Sequence, residues 1–346
     1  MTQSRTNIAF VGCAHIHTPG FINMLSRRDD VGVSLVWDPD RRRSEFRAQQ
    51  LNAKVVDSAE AIFADDSITA VVICSETNRH EQLVAQAAKA RKHMFVEKPL
   101  GMASKDGYAM AQAIEDSGVM FQTGYFQRSE PKNRFIKDLV TKGALGTITK
   151  VRGSNAHSGA LGNWFRAKPD AVHEDWRWMA DPKVAGVGAF GDLGTHALDI
   201  LLWWFGDVTL ATAQVDSVTN TYDGTDESGE GLMRFKSGAI GTLCAGWVDI
   251  ADPVRYLVSG THGHAAIIHD KLYVTSQKDA RFDGSSPVRN CEMPAPAPHA
   301  FELFLDALVG RDVAVPLVSA REAAYRSSVM EAMYEGAKNN TWVAPR

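Results

Sequence analysis

Ile8-Ala9-Phe10-Val11-Gly12-Cys13-Ala14-His15-Ile16-His17 decides the fold. Its first four residues are a continuous apolar run after a polar start, which suits a short strand buried on both faces. Gly12 ends the run, and a helical pattern follows around residues 21–27. The alternation then repeats. Val33–Trp37 reads as a strand ending at Asp38, Arg41–Leu51 as a charged helix, Ala70–Cys74 as a strand, Glu81–Lys92 as a helix, and His93–Val96 as a strand. Apolar strands alternating with helices predict an α/β domain over residues 1–125, a doubly wound parallel sheet covered on both faces.

The pattern changes after Tyr125. A helix is expected over Pro131–Thr141, stopped by Gly143 and Gly146. Longer alternating segments follow at Ile148–Gly153, Val208–Val218, Gly231–Phe235 and Ala239–Trp247. Half-buried, mainly antiparallel strands fit that alternation, so residues 126–346 read as an α+β domain with a large open sheet. Asn163–Val187, rich in Trp, Asp, Pro and Gly, reads as a long loop, and loops of that length usually carry function. Pro294, Pro296 and Pro298 mark a linker, and helices are expected over His299–Val309 and Ala320–Lys338.

The totals set bounds. The chain has 346 residues, enough for two domains, with 45% hydrophobic and 23% charged residues, as in an ordinary globular protein. A net charge of −4 gives no electrostatic case for a nucleic-acid partner. No run of about 18 apolar residues predicts a membrane span, and the polar start lacks a signal-peptide core. Cys13, Cys74, Cys244 and Cys291 are scattered without metal-ligand spacing, so reduced thiols and a cytoplasmic location are expected.

Gly12-Cys13-Ala14-His15-Ile16-His17 occupies the place of the G-x-G-x-x-G turn of Rossmann-like domains. Only the first glycine is present, with Ala14 and His17 replacing the others. The context restores the match: a strand before, a helix after, and an acid ending the next strand. A carboxylate at Asp38 accepts hydrogen bonds from ribose hydroxyls and repels a 2′-phosphate, which favours NAD over NADP. Gly12, Ala14, His15, Ile16 and Asp38 are therefore candidate cofactor contacts. Arg41, Arg42 and Arg43 read as a solvated helix face, although one could reach a phosphate. His15 could donate to a phosphate at the helix N-terminus or serve the turn. Thr77, Asn78 and His80 follow a strand end where ligands of doubly wound sheets sit, and Thr77 or Asn78 could equally cap a helix.

Glu97-Lys98-Pro99 closes the strand His93–Val96, placing a lysine at a sheet edge. Further on, Asp192 and His196 lie one helical turn apart in Gly191-Asp192-Leu193-Gly194-Thr195-His196-Ala197-Leu198-Asp199. Alone, this pair could be a helix cap and a buried histidine. A divalent metal on the same set, with His157 or His173, is disfavoured by the neighbouring lysine, and no metal is expected. Taken with Thr77-Asn78-Arg79-His80, Gly124-Tyr125 and Gly260-Thr261-His262-Gly263, these motifs resemble the Gfo/Idh/MocA oxidoreductases over essentially the whole chain. The resemblance implies an NAD-dependent sugar or cyclitol dehydrogenase with Lys98, Asp192 and His196 around the reacting alcohol. His196 would accept the proton and Lys98 would stabilise the developing charge, or the two would exchange roles. Glu97 and Lys98 would also border the cofactor.

Candidate substrate contacts are Tyr125, Asn155, His157 and Trp164, together with Asp192 and His196, because aromatic faces suit pyranose C–H faces. Trp176 and Trp178 read equally as core or interface residues. Two other classes compete: a non-redox dinucleotide-binding sensor and an NAD-assisted glycosidase. The resemblance further implies a homodimer or homotetramer paired through the second sheet.

Overall fold

The computed structural model describes residues 5–166, 168 and 171–346. The chain divides into two units, Met1–Tyr125 with Phe165–Gly186 and Pro298–Ser327, and Phe126–Trp164 with Val187–Ala297 and Ser328–Arg346. The first unit thus takes back two segments that the sequence places in the second domain.

In the first unit the strands are β1 (Thr6–Cys13), β2 (Val31–Trp37), β3 (Lys54–Val55), β4 (Ala70–Cys74), β5 (His93–Val96) and β6 (Phe121–Thr123). They form a parallel sheet of order β3-β2-β1-β4-β5-β6. Helices α1 (Thr18–Leu25), α2 (Arg41–Leu51), α3 (Ala59–Phe63), α4 (His80–Lys89) and α5 (Ser104–Ser117) supply the crossovers. Alternate strand residues feed two separate cores. Val11, Val71, Ile73 and Val96 pack with Leu83 of α4, Ile114 of α5 and Ala323. Phe10, Val72 and Phe95 pack with Phe21 of α1 and with Phe301 and Phe304. Burying a phenylalanine contributes about 2–3 kcal/mol. The order reverses between β1 and β4, which opens the crevice of a doubly wound fold at their carboxyl ends. β3, α5 and β6 escape the sequence pattern: β3 has two residues and β6 three, too short to show a period.

The second unit begins with α6 (Pro131–Thr141) and β7 (Ile148–Ala156). After α7 (Pro182–Ala185), a short helix of the first unit, the second unit resumes with α8 (Ala189–Phe205), then β8 (Val208–Asp216), β9 (Ser228–Phe235), β10 (Ile240–Gly246), β11 (Val254–Gly260), β12 (Gly263–Ile268) and β13 (Lys271–Ser276). The sheet order is β13-β12-β11-β7-β10-β9-β8, with β7 and β10 parallel and the other neighbours antiparallel. One face packs on α8: a side chain on Gly194 would touch Leu243 and Ala245, and one on Gly153 would meet Leu201. That is why nearly every side chain of α8 is buried and its sequence is apolar apart from Asp192, Thr195, His196 and Asp199. β9 alternates buried and exposed residues, as a one-sided sheet requires. The chain ends with α9 (Ala300–Leu308) and α10 (Ala320–Asn339). No described helix is long and apolar enough to cross a membrane.

Candidate active site

At the end of β1, Gly12 has φ +82°, and a Cβ there would lie 2.6 Å from that of Ser75. Only glycine tolerates this backbone and this approach to the end of β4. The turn beyond it is closed by its own hydrogen bonds. The amides of Cys13, His15, His17 and Thr18 donate to Asp38 Oδ2 (2.7 Å), Cys74 O (2.9 Å), His15 Nδ1 (3.3 Å) and His15 O (3.0 Å). Ala14 is buried and Ile16 half-buried.

Asp38 sits deeper than the sequence suggests. Its carboxylate also accepts the Asp40 amide (2.8 Å) and the Arg43 guanidinium (3.0 Å), and its side chain has no exposed surface. Burial raises its pKa, partly opposed by Arg43 and the two amides. Here the arginine run departs from the expected solvated face. Arg41 and Arg42 are exposed, but Arg43 is buried against Asp38 and Glu76, and Arg47 is buried too. Both turn inward because α2 presents that side to the sheet.

Thr77 is buried and Asn78 exposed in a 3₁₀ turn that leads into α4. His80 is buried, its ring nitrogens 3.1 Å from Leu100 O and 3.4 Å from Ser75 O, and burial lowers its pKa. It ties the ends of two strands together.

Glu97 lies fully buried at the end of β5. Its Oε1 is 3.0 Å from His17 Nδ1 and 3.9 Å from His15 Nδ1, and its Oε2 accepts the Lys98 amide at 2.9 Å. Burial would raise its pKa, but the two imidazoles and the Lys98 ammonium hold it well below the usual carboxylate range. Gly124 is required here, because a Cβ would come within 2.6 Å of Glu97 Oε2. His15, His17 and Glu97 offer three ligand atoms within 4.8 Å of one another, a donor set that could hold a divalent ion. The His17–Glu97 hydrogen bond and the adjacent ammonium account for the same cluster as charge pairing. Lys98 and Tyr125 are buried beside it in the chain.

The long loop contributes an unforeseen cover to this unit. Trp178 Nε1–H donates to Ala14 O (3.2 Å), and its ring lies 5.9 Å from that of His15. His173 stacks on Phe46 at 3.7 Å, and Arg47 donates to His173 O. Trp176 carries the Lys168 ammonium over its ring.

In the second unit, Asp192 and His196 are both buried in the first two turns of α8. The helix is fastened along this stretch. The amides of Gly188 and Gly191 donate to Tyr334 Oη at 3.2 and 2.9 Å. The Phe190 amide donates to Asp226 Oδ1 (2.7 Å), and Tyr334 O–H donates to Asp226 Oδ2 (3.0 Å). Burial raises the pKa of Asp226, and Asp192 adds to the rise. Trp247 Nε1–H donates to Asp192 Oδ2 at 3.1 Å. Asn155 Nδ2 donates to Leu193 O at 2.9 Å. Arg128 Nε donates to Asp199 Oδ2 at 2.8 Å in a buried ion pair. The Phe126 ring lies 5.1 Å from that of His196. His157 and Trp164 form a ring pair at 4.7 Å, with Trp164 41% exposed. Their loop is tied to the end of β10, His157 N donating to Gly246 O and Ala160 N to Trp247 O.

The second unit therefore carries Asp192 and His196 on one helix, sets Asn155 of β7 against its backbone at Leu193, and ties the His157–Trp164 loop to Gly246 and Trp247. Trp247, Asp226, Tyr334 and Arg128 escaped the sequence reading. Each reaches α8 from a distant part of the chain, and none belongs to a recognisable motif.

Residues 6–125 match the family model described as the oxidoreductase family, NAD-binding Rossmann fold, and residues 133–266 match the GFO/IDH/MocA C-terminal domain. The chain is 27% identical over 210 residues to a levoglucosan dehydrogenase of Pseudarthrobacter phenanthrenivorans, covering 53% of this chain and 50% of that protein. It therefore spans about half the length of that relative. It is 26% identical over 270 residues to a scyllo-inositol 2-dehydrogenase (NAD(+)) of Bacillus subtilis, covering 75% of this chain and 74% of that one. Among solved structures, a levoglucosan dehydrogenase in complex with NADH superposes with a TM-score of 0.82 at 19% identity, over 99% of this chain and 100% of that one, a likeness of fold.

Proposed function

The chain belongs to the Gfo/Idh/MocA oxidoreductase family, and on that premise we propose that it is an NAD-dependent dehydrogenase of a sugar, glycoside or cyclitol, oxidising a secondary ring hydroxyl. One conjunction carries the reading. The family match extends over both domains, with Glu97-Lys98 intact at the end of β5 and Asp192 and His196 intact one turn apart on α8.

Two features of the first unit support a dinucleotide: Gly12 admits no side chain, and Asp38 follows β2 beside the turn. Gly12, Ala14, His15, Ile16, Thr77 and Asn78 would border the pyrophosphate and nicotinamide halves, and Asp38 the adenosine ribose. When bound, NAD supplies the hydride acceptor.

This chain's residues handle the proton. In the forward direction the C–H bond gives up a hydride and the O–H bond gives up a proton to His196 Nε2 or Nδ1, leaving a ketone. Lys98 donates a hydrogen bond to the reacting oxygen as negative charge develops there. Asp192 accepts from a neighbouring hydroxyl and fixes the ring. Trp164 and His157 offer the aromatic surface that a sugar's C–H face requires. Tyr125 and Asn155 complete the proposed contacts.

Self-association belongs to the same reading. Leu232 on β9 and Ile240 at the start of β10 are 42% and 51% exposed, and Trp342 near them is 47% exposed. Such a patch on a sheet face suits a second copy of the chain. A homodimer or homotetramer is expected by light scattering, falling to monomer in Ile240→Lys.

The test is absorbance at 340 nm with NAD or NADP against sugars, glycosides and inositols, with Lys98→Ala alongside. NADH formation that is lost in the variant supports the reading. Tight NAD binding with no reduction by any polyol overturns it in favour of a sensor, and sugar release without NADH accumulation in favour of an NAD-assisted glycosidase.

A further inference from the structure

Trp247 is a residue that nothing in the motif pattern singles out, yet it is a node among the candidate residues of the second unit. It follows the last residue of β10, and its side chain is completely buried. Its three polar groups are used in three directions. The backbone amide donates to Glu227 O (2.8 Å), the carbonyl accepts from the Ala160 amide (2.9 Å), and the indole N–H donates to Asp192 Oδ2 (3.1 Å). One residue therefore joins the loop that carries His157 and Trp164 to the carboxylate on α8.

The chemistry of the donor matters. An indole N–H is a donor only and carries no charge. Against a carboxyl group it favours the ionised form and can neither take the proton nor form an ion pair. A lysine or arginine at this place would neutralise Asp192 and compete with a hydroxyl for its oxygens. The surroundings otherwise oppose ionisation. Asp192 is buried, and its charge adds to the rise in the pKa of Asp226, whose carboxylate binds the same helix head. Titratable neighbours in the same unit include Asp226, Tyr334 hydrogen-bonded to it, and His196 one turn further along the helix.

We propose that Trp247 is a positioning residue: its indole N–H holds Asp192 ionised and in one rotamer, as an acceptor for a substrate hydroxyl, and couples it to the His157–Trp164 loop. The proposal rests on the reading of Asp192 as a substrate-orienting group.

Two measurements test it. The first replaces Trp247 by benzothienylalanine, which puts sulfur where the N–H was and keeps the shape, with Trp247→Phe as the encodable companion. Losing one hydrogen bond to a charged group lowers kcat/KM on the polyol that the wild type oxidises by about ten- to a hundredfold. The acid limb of the kcat/KM profile moves to higher pH, since Asp192 then takes up its proton more readily. NAD affinity stays unchanged. A folded benzothienylalanine variant with the wild-type rate and profile overturns the proposal. A purely structural tryptophan would lower thermal stability and leave the acid limb in place.

The second measurement needs no turnover. In the ¹⁵N–¹H spectrum of tryptophan indoles, the Trp247 signal is assigned by its loss in Trp247→Phe. It is expected to shift in Asp192→Asn more than the indoles of Trp37 or Trp342, and to follow the wild-type titration of Asp192. An indifferent signal overturns the proposal. If no polyol is oxidised by the wild type, the functional reading fails and the indole measurement decides the contact on its own.

Discussion

Two short stretches carry the candidate chemistry, and they are built in opposite ways. The turn from Gly12 to Thr18 closes on neighbours: its amides go to His15, to Asp38 and to the adjacent strand end at Cys74. The head of α8, from Gly188 to Asp199, is fastened from outside, by Arg128, Asn155, Asp226, Trp247 and Tyr334. The first arrangement draws on the ends of the two strands beside β1, with Asp38 Oδ2 and His15 Nδ1 accepting two of its amides and backbone carbonyls the other two. The second draws on five partners from separate parts of the sequence. In the first the supports follow strand ends, which the sequence pattern marks. In the second they leave no pattern.

The largest expected effect pairs the head of α8 with Lys98, which lies outside both stretches, after the end of β5. Lys98→Ala and His196→Ala should each lower kcat by about a thousandfold, near 4 kcal/mol. The double variant should lose little more than the worse single, since groups that act as a unit are not additive. Additive losses in single-turnover kinetics would mean that Lys98 and His196 serve different steps.

Next in size is the outside fastening. Arg128→Ala leaves Asp199 buried without its ion-pair partner and should cost about 3 kcal/mol in urea unfolding. The Arg128→Ala, Asp199→Ala pair should recover part of that loss. A loss below about 0.5 kcal/mol, the scale of an ordinary surface substitution, would show that α8 does not depend on this tie.

The local turn should respond less, and with a pH signature. Glu97→Gln removes the negative charge and leaves one acceptor oxygen where His17 and the Lys98 amide now use two, costing about 2 kcal/mol at neutral pH. The folded pKa of Glu97 is depressed, so its contribution is complete above the unfolded value of about 4.3 and is lost as pH falls through the folded one. Wild type and variant should therefore differ fully at pH 7 and converge only on acidification below about 4. A gap that closes between pH 6 and 7 would assign the effect to the histidines instead.

Much of this was legible in the sequence, and the boundary has a physical cause. Continuous apolar runs such as Ala70–Cys74 and Ile8–Val11 declare buried parallel strands, because both of their faces need apolar residues. Asp192 and His196 are readable as a pair because a helix repeats every 3.6 residues. β11 to β13 give no such signal although they are six or seven residues long, since apolar residues stand on both faces, as in Tyr256-Leu257-Val258, Ala265-Ala266-Ile267 and Leu272-Tyr273-Val274, and blur the alternation. Arg43 was misplaced because its run of three arginines looks uniform, whereas the helix turns only the third toward Asp38. Trp247 and Tyr334 carry no local signal at all, since what they touch lies 55 and 143 residues away.

Asp38 gives the smallest effect and the sharpest test of how local the turn is. Its carboxylate has two tasks: it accepts the Cys13 amide within the turn, and it faces Arg43 at the edge where an adenosine ribose would lie. Asp38→Ala should weaken NAD by about tenfold, near 1.4 kcal/mol, in a calorimetric titration. NADP should weaken less or even tighten, because Arg43 loses its hydrogen-bonded carboxylate, keeps Glu76 at 3.5 Å, and is freer to meet a 2′-phosphate. The double change Asp38→Ala, Arg43→Ala should cancel that gain for NADP while leaving NAD weak. If both dinucleotides weaken alike in Asp38→Ala, and Arg43→Ala adds nothing, the ribose contact is wrong. Asp38 then serves the turn through the Cys13 amide, and the local stretch is still more self-contained than its hydrogen bonds suggest.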